Sequence, residues 1–584
     1  MPIDQPAAAG DPATLPAAAS DSAALPARVA AWLGDEPDPA ARAELLTLLD
    51  QLPGSAAELA DRFAGPLTFG TAGLRGPLRA GPNGMNLQVV TRAAAGLVSW
   101  LAEQGGTGPV VIGYDARHGS RAFAVRTAEV VTGAGRDAYL LPRPLPTPVL
   151  AYAVRALDAV AAVMVTASHN PPQDNGYKVY LGAQLGGPAG AGAQIAPPAD
   201  QQIETAIRAV GKLVDVPLGG PGKTLDDEIV AGYLRTAVAV VDRATSRALT
   251  VAYTPLHGVG GAVLREAFVG AGFPAPLVVA EQAEPDPQFP TVAFPNPEEP
   301  GAMDRVVALA RAHGADLAIA NDPDADRCAV AVPAHGDPDA GGDPGAGWRM
   351  LRGDELGVLL ADHLMRQGRH GRYATTIVSS SLLGALCTAR GEPYAETLTG
   401  FKWIVRAGSD LTDGTDVPLV YGYEEALGYC VAPDQVRDKD GITAALLTAE
   451  LAAELKAAGR GLADRLDELA TEFGVYQTDQ LAVRVDELSE IATAMAYLRA
   501  NLPTTLLGEP VTATQDLLPD ADVVILRTGT ARVVVRPSGT EPKLKAYLEV
   551  VQPVRDGDPA AARERADRAL ARLRSETSAA LNIK

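Results

Sequence analysis

Cysteine is scarce, with only Cys328, Cys387 and Cys430 in 584 residues. An odd number with no CxxC pair excludes a disulfide framework and gives no zinc-site spacing, so a reducing, cytoplasmic setting is expected. Basic charge is also short: 50 Lys and Arg against 71 Asp and Glu leave a formal net charge of −21. That balance argues against nucleic acid and anionic membrane surfaces as partners, and any anionic ligand must be met by local basic residues. No apolar run reaches the ~18 residues that suggest a membrane span. The N-terminus lacks a basic region and is interrupted by Asp4, Asp11 and several prolines, so no signal peptide is expected.

What is present reads as an ordinary globular composition, 47% apolar and 21% charged, in a chain long enough for about three to five domains. The first thirty residues are Ala/Pro-rich and predict a mobile tail, followed from Ala27 to about Leu59 by an accessory helical pair. Beyond them, short β-branched runs (VVIGYD at 110, AAVMVTAS at 161, TVAYTP at 250, DLAIAND at 316) alternate with alanine-rich helical stretches. This grammar predicts α/β layers with largely parallel sheets. Gly/Pro clusters at 217 to 224 and 334 to 348 mark a boundary and a surface loop insertion. A helical run from Ile442 to Ala470, broken near Gly459 and Gly461, precedes a strand, turn, strand pattern in VVILRTGTARVVVRPSG, predicting a small C-terminal α+β domain.

Chemistry concentrates in loops at strand ends, where ligands of α/β sheets collect. In VTASHNPPQDNGYKVY, residues 165 to 180, an apolar strand runs into Ser168, His169, Asn170 and Lys178. Thr166 and Asn170 occupy the places where a hydrolase nucleophile elbow needs glycines, and adjacent residues of an extended segment point apart, so a Ser/His pair is not implied. An Asx-rich turn is the alternative reading. In NDPDADRCAV, residues 321 to 330, Asp322, Asp324 and Asp326 alternate and can converge on one hard cation, with Arg327 placed to meet neighbouring anionic oxygens. The alternative is a solvated turn; an EF-hand fails because its glycine and distal glutamate would fall on Arg327 and Pro333. RPSGTEPKLKAY, residues 536 to 547, has phosphate-cradle composition in Arg536, Ser538, Gly539 and Thr540, or else is a strand-ending turn. GYEEALGY, residues 422 to 429, offers carboxylates to sugar hydroxyls or to solvent.

In order and wording, TASHNPP, DPDADR, GYEEALG and RPSGTEP resemble the α-D-phosphohexomutase superfamily, as do FGTAGLRG, GYDAR, TPLHGVGG, TGFKWI and VRDKDGI, over roughly residues 60 to 550. The resemblance implies four domains around one cleft: three α/β domains with mixed sheets and a C-terminal α+β domain like the TATA-box-binding fold. The expected division is a tail with accessory helices (1–60), then domains at 61–222, 223–345, 346–470 and 471–584, carrying in turn the phosphoserine, metal, sugar and phosphate loops.

The implied activity is interconversion of hexose 1-phosphate and hexose 6-phosphate, of glucose or mannose, through phosphorylated Ser168 and a hexose 1,6-bisphosphate. Mg²⁺ would be held by Asp322, Asp324, Asp326 and the Ser168 phosphoryl oxygens. Arg75 and Lys178 would assist transfer, Lys178 as general base with a lowered pKa; His169 would shape the loop and Lys402 is a second acid/base candidate. Arg327 and Glu424 would bind substrate, and Arg536, Ser538, Gly539 and Thr540 its distal phosphate. Ala426 stands where many members have a serine, which with TGFKWI places the chain near the phosphoglucomutase-2-like branch and leaves a phosphopentomutase as the alternative within the enzymes. A catalytically silent phosphosugar-binding protein is the alternative outside them. Oligomeric state is not legible.

Overall fold

The computed structural model describes residues 24–582, apart from 71, 243, 335–346, 408–416, 486–487 and 539–542. Most of the expected tail and of the 334 to 348 loop, together with Gly539 and Thr540 of the expected phosphate cradle, lie outside the described residues. Helix α1 (Leu25–Leu33) begins inside the stretch expected as tail, because Pro26 presets the first turn and Leu25, Val29 and Leu33 share a buried face. Two more helices follow, α2 (Pro39–Asp50), capped by the Asp38 carboxylate on the Ala40 N–H, and α3 (Ala56–Arg62). The expected pair is therefore three helices, since the turn at 51 to 55 interrupts the leucine pattern.

Domain 1 is a seven-stranded mixed sheet of β1 (Leu74–Pro77), β2 (Val110–Tyr114), β3 (Ala138–Leu140), β4 (Ala161–Val165), β5 (Asp174–Leu181), β6 (Ala193–Gln194) and β7 (Lys223–Thr224). The order is β1-β5-β4-β2-β3-β7, with β6 on β5. β2, β3, β4 and β7 are parallel; β1 and β5 run against their neighbours. β2 and β4 are buried along their whole length, as expected of strands covered on both faces by α4 (Leu87–Glu103), α5 (Ser120–Gly133) and α6 (Thr147–Ala156).

Domain 2 repeats the plan with β8 (Val251–Thr254), β9 (Leu277–Val278), β10 (Leu317–Ala320), β11 (Ala329–Pro333) and β12 (Trp348–Met350), in the order β12-β11-β10-β8-β9. Domain 3 has β13 (Arg372–Thr376), β14 (Tyr394–Thr397), β15 (Leu419–Glu424) and β16 (Gly428–Cys430), in the order β14-β13-β15-β16. The sheets are mixed rather than purely parallel because β11, β12 and β16 return as hairpins. Domain 4 is antiparallel: β17 (Val475–Arg484), the small hairpin β18 (Thr505–Leu506) and β19 (Glu509–Pro510), then β20 (Ala513–Asp516), β21 (Val524–Arg527), β22 (Ala531–Pro537) and β23 (Lys543–Gln552), with the order β17-β23-β22-β21-β20 in the main sheet. The strand, turn, strand pattern is the β21–β22 hairpin.

One apolar core runs without a break through domains 1, 2 and 3, from Val111 and Tyr180 through Val263 and Ile319 to Leu360 and Leu446. Domain 4 keeps a core of its own, with Val475, Val533, Leu548 and Leu573 among its members. A small patch of Ile377, Val378, Val523, Ile525, Val534 and Tyr547 joins it to domain 3. No helix among the described residues is long and apolar enough to cross a membrane.

Candidate active site

The loop after β4 turns on Ser168 itself, whose φ of +49° lies in the left-handed region that a residue with a Cβ rarely adopts. Two groups hold it there. The Ser168 N–H donates to Thr166 Oγ1 at 2.9 Å, and the Arg117 guanidinium donates to the carbonyls of Ser168 (2.6 Å), Pro171 (2.7 Å) and Asn170. Arg117 is paired with Asp115 at 3.4 Å and stacks on Phe289 of domain 2 at 4.9 Å. Thus the Asp and Arg of GYDAR build the serine loop. The turn aims the buried Ser168 hydroxyl across the domain boundary, where it donates to Asp322 Oδ2 at 2.7 Å.

The second loop follows β10. Asp322, Asp324 and Asp326 are all buried and present oxygens within 4.8 Å of one another. Asp322 accepts on both oxygens, from Ser168 on Oδ2 and from the Arg327 N–H on Oδ1 (3.0 Å), whereas Asp324 and Asp326 each have one oxygen spoken for. Asp324 Oδ2 accepts from Thr147 Oγ1 (2.7 Å) and Lys178 Nζ (2.8 Å), and Asp326 Oδ2 lies 3.2 Å from both Lys178 and Lys439. Asp324 Oδ1 and Asp326 Oδ1 are buried with no partner among the described residues. Two bare carboxylate oxygens in a closed space are costly unless a cation meets them, so the donor set, all oxygen and strongly anionic, fits a hard divalent ion. Burial and the facing charges of Asp324 and Asp326 push the Asp322 carboxyl well above the ordinary range; Asp324 is buried too, but Lys178 holds it below that range.

Glycines let this loop sit where it does. A Cβ on Gly258, in the TPLHGVGG stretch, would lie 2.4 Å from Pro323 Cα, and one on Gly441 would lie 2.2 Å from the Arg327 carbonyl oxygen. The loop is also tied by Asn321, which accepts from Tyr253 Oη at 2.9 Å and donates to the Arg327 carbonyl at 2.6 Å. Thr147 of domain 1, Gly258 of domain 2 and Gly441 of domain 3 therefore enclose one aspartate loop.

Around the aspartates, burial alone would lower the Lys178 ammonium pKa, but Asp324 and Asp326 outweigh it and raise it. In this arrangement the lysine serves as counter-cation to the two carboxylates. Arg75, on β1, donates to Asn170 Oδ1 at 3.1 Å and reaches the serine loop from its other side. His169 is held neutral: burial, then the charges of Arg327 and Arg75, depress its pKa, and its Nδ1 is buried without a partner among the described residues. Arg327 pairs with Glu298 at 3.3 Å and bridges Gly428 of the 422–429 loop by backbone pairing. Burial raises the Glu424 carboxyl to about 7, against the opposing pull of Lys439 and Arg327.

Two expected groups stand further out. Burial lowers Lys402 to about 8, with Asp200 opposing, and its ammonium lies 5.3 Å from the Trp403 ring; its neighbour Phe401 meets the site instead, stacked 5.4 Å from Lys439. Arg536, near the end of β22, faces the Tyr547 hydroxyl, which burial and the charge of Glu425 push upward and which the charge of Glu424 also reaches. Tyr547 thus stands between the sugar loop and the expected phosphate cradle. Of that cradle, Ser538 donates its N–H to the Lys543 carbonyl at 2.8 Å, while Gly539 and Thr540 lie outside the described residues.

Sequence reasoning gave no role to Thr147, Arg117, Glu298, Lys439 or Tyr547. Arg117, Lys439 and Tyr547 stood inside the motifs above without a role, and Lys439 is fixed by neighbours no local pattern discloses: Asp438 accepts from Tyr180 (2.8 Å) and Gln194 (3.0 Å) of domain 1. Thr147 had no sequence signal beyond two flanking prolines.

Comparison with known proteins bears on the arrangement as a whole. Four family models match in order: phosphoglucomutase/phosphomannomutase alpha/beta/alpha domains I (66–213), II (231–336) and III (352–473), and the C-terminal domain (481–566). A Haemophilus influenzae protein named "probable phosphomannomutase" is 45% identical over 84% of this chain and 96% of its own length. A Mus musculus phosphopentomutase is 32% identical over 91% of each chain. A crystal structure from Thermus thermophilus, described as a phosphomannomutase, superposes with a TM-score of 0.67 at 26% identity, covering 88% of this chain and 99% of that one.

Proposed function

The chain belongs to the phosphoglucomutase/phosphomannomutase family and is a phosphohexomutase, and on that premise we propose that Ser168 carries the phosphoryl group it exchanges with glucose or mannose phosphates. The observation that carries this reading is the buried Ser168 hydroxyl 2.7 Å from Asp322, inside the ring of aspartates.

In the proposed cycle the Ser168 Oγ–P bond breaks as a sugar hydroxyl oxygen bonds to phosphorus, giving a hexose 1,6-bisphosphate. Lys178 takes the hydroxyl proton and releases one to the departing Ser168 oxygen, so the proton count is unchanged over the transfer. After the sugar turns over, the reverse transfer returns the other phosphate to Ser168 and releases the isomeric monophosphate. Asp322, Asp324 and Asp326 would hold Mg²⁺, which when bound supplies positive charge beside the transferring phosphoryl oxygens. Once the aspartate charge is engaged elsewhere, burial, Lys439 and Arg75 all act on Lys178 in the lowering direction a base requires. Arg75 and Arg327 meet phosphoryl oxygens, and Glu424 accepts from sugar hydroxyls. Arg536 and Ser538, with Gly539 and Thr540, bind the distal phosphate.

Intact-mass measurement after incubation with glucose 1,6-bisphosphate tests the carrier. A phosphate-sized adduct that disappears in Ser168→Ala is the expected result; an adduct that survives the substitution sinks the assignment. Ala426 and the mouse relative favour a second reading, action on a pentose phosphate. Coupled assays with glucose 1-phosphate, mannose 1-phosphate and ribose 1-phosphate separate the two.

A further inference from the structure

Thr147 opens α6 between Pro146 and Pro148, outside every motif of the site, yet it is completely buried against Asp324. It makes two bonds to that one residue: its N–H donates to the Asp324 carbonyl at 2.9 Å and its hydroxyl to Asp324 Oδ2 at 2.7 Å. The prolines on either side restrict the backbone that presents both donors. We infer that Thr147 is a positioning residue for metal binding, fixing Asp324 so that Oδ1, and not Oδ2, is the oxygen free to take the cation. The inference rests on the reading of the three aspartates as a Mg²⁺ site.

A carboxylate whose two oxygens are equivalent can present either by turning about its Cβ–Cγ bond, and each turn breaks whatever Oδ2 is holding. The other donor to Oδ2, Lys178 at 2.8 Å, is a poor anchor because it is shared with Asp326 at 3.2 Å and is the group proposed to accept a proton in turnover. Thr147 keeps its proton throughout. With its hydroxyl in place Oδ2 has two donors and Oδ1 has none, which is the pattern a metal-ligating carboxylate shows when a neighbouring group orients it. Thr147 also belongs to the domain that carries Ser168, so its bonds register the metal loop against the serine loop across a domain boundary.

The test is metal binding by the full chain, with Mn²⁺ as a spectroscopically visible probe and Mg²⁺ measured by calorimetry. Thr147→Val keeps the shape and removes the donor. It is expected to raise the dissociation constant by about 10- to 100-fold, as loss of an orienting partner does, and to alter the Mn²⁺ resonance, while Thr147→Ser restores both. Thr147→Ala is read the same way should the valine variant fail to fold. Wild-type affinity and resonance in a folded Thr147→Val or Thr147→Ala protein would overturn the inference and leave the metal site standing. Absence of binding in the wild type, or binding unchanged in Asp324→Asn, would instead overturn the metal reading and the inference with it.

Discussion

Lys178 is asked both to neutralise two aspartates and to accept a proton, and these demands oppose each other through one pKa. Asp324 and Asp326 raise it, whereas burial, Lys439 and Arg75 lower it. Arginine keeps the charge but cannot act as a base at neutral pH. Lys178→Arg should therefore keep the Ser168 phosphate, read by intact mass, while kcat falls by about 10²- to 10⁴-fold. Glu424 gives a second prediction at this scale. Burial raises it to about 7, so its charged form fills in as pH rises through that value, and an acceptor of sugar hydroxyls improves with it. The ratio of KM for glucose 1-phosphate between Glu424→Gln and wild type should grow from about pH 6 to pH 8; a flat ratio would remove Glu424 from sugar binding. The linked effect on folding has the opposite sign: the contribution of this group is full below its ordinary 4.5 and is lost as pH rises through 7.

Among the elements, the loops that end β4 and β10 depend on what lies behind them. A methyl group at Gly258 would overlap Pro323, and relieving such overpacking costs about 1–3 kcal/mol or shifts the loop. Gly258→Ala should leave the circular dichroism spectrum unchanged and weaken Mg²⁺ binding; tight binding with normal turnover would show that the loop tolerates the shift. The same contrast explains what the amino-acid pattern disclosed. Ser168, the three aspartates and Glu424 were legible because each sits where an apolar strand meets a polar loop, a local signal. β2 and β4 were legible as buried strands for the same reason. Thr147, Lys439 and Tyr547 were not, since their importance comes from partners in other domains. The strand directions of β11, β12 and β16 escaped likewise, because a short apolar strand reads the same in either direction.

For the whole molecule, the division of the cores matters most. Domains 1, 2 and 3 share an apolar interior, while domain 4 keeps its own and meets domain 3 through a small apolar patch, a buried polar latch and outer pairs such as Arg352 with Gln477 (3.0 Å) and Thr478 with Asp354 (3.2 Å). In the latch, buried Arg532 pairs with Glu549 (3.2 Å) and Glu396 (3.2 Å) and donates to the Ser379 carbonyl, and Glu549 accepts from the hydroxyls of Ser380 (2.7 Å) and Ser381 (2.7 Å). Ser379 in turn donates to Glu425 at 2.9 Å, so the latch ends on the sugar loop. Arg532→Met leaves Glu549 buried without its cation, a loss of about 3–5 kcal/mol. Domain 4 should then melt in a separate, earlier calorimetric transition, and KM should rise more than kcat falls. A single transition at the wild-type temperature would show that the remaining contacts suffice.

The metal loop walled by Thr147, Gly258 and Gly441 also has a bearing on how the protein is made. On the ribosome the aspartates emerge with two of their walls already synthesised, but the third, with Lys439 beside it, arrives only when most of domain 3 has followed. A nascent chain stalled before that point carries all three aspartates without the Gly441 wall or Lys439, so their enclosure is completed only once most of domain 3 has been made.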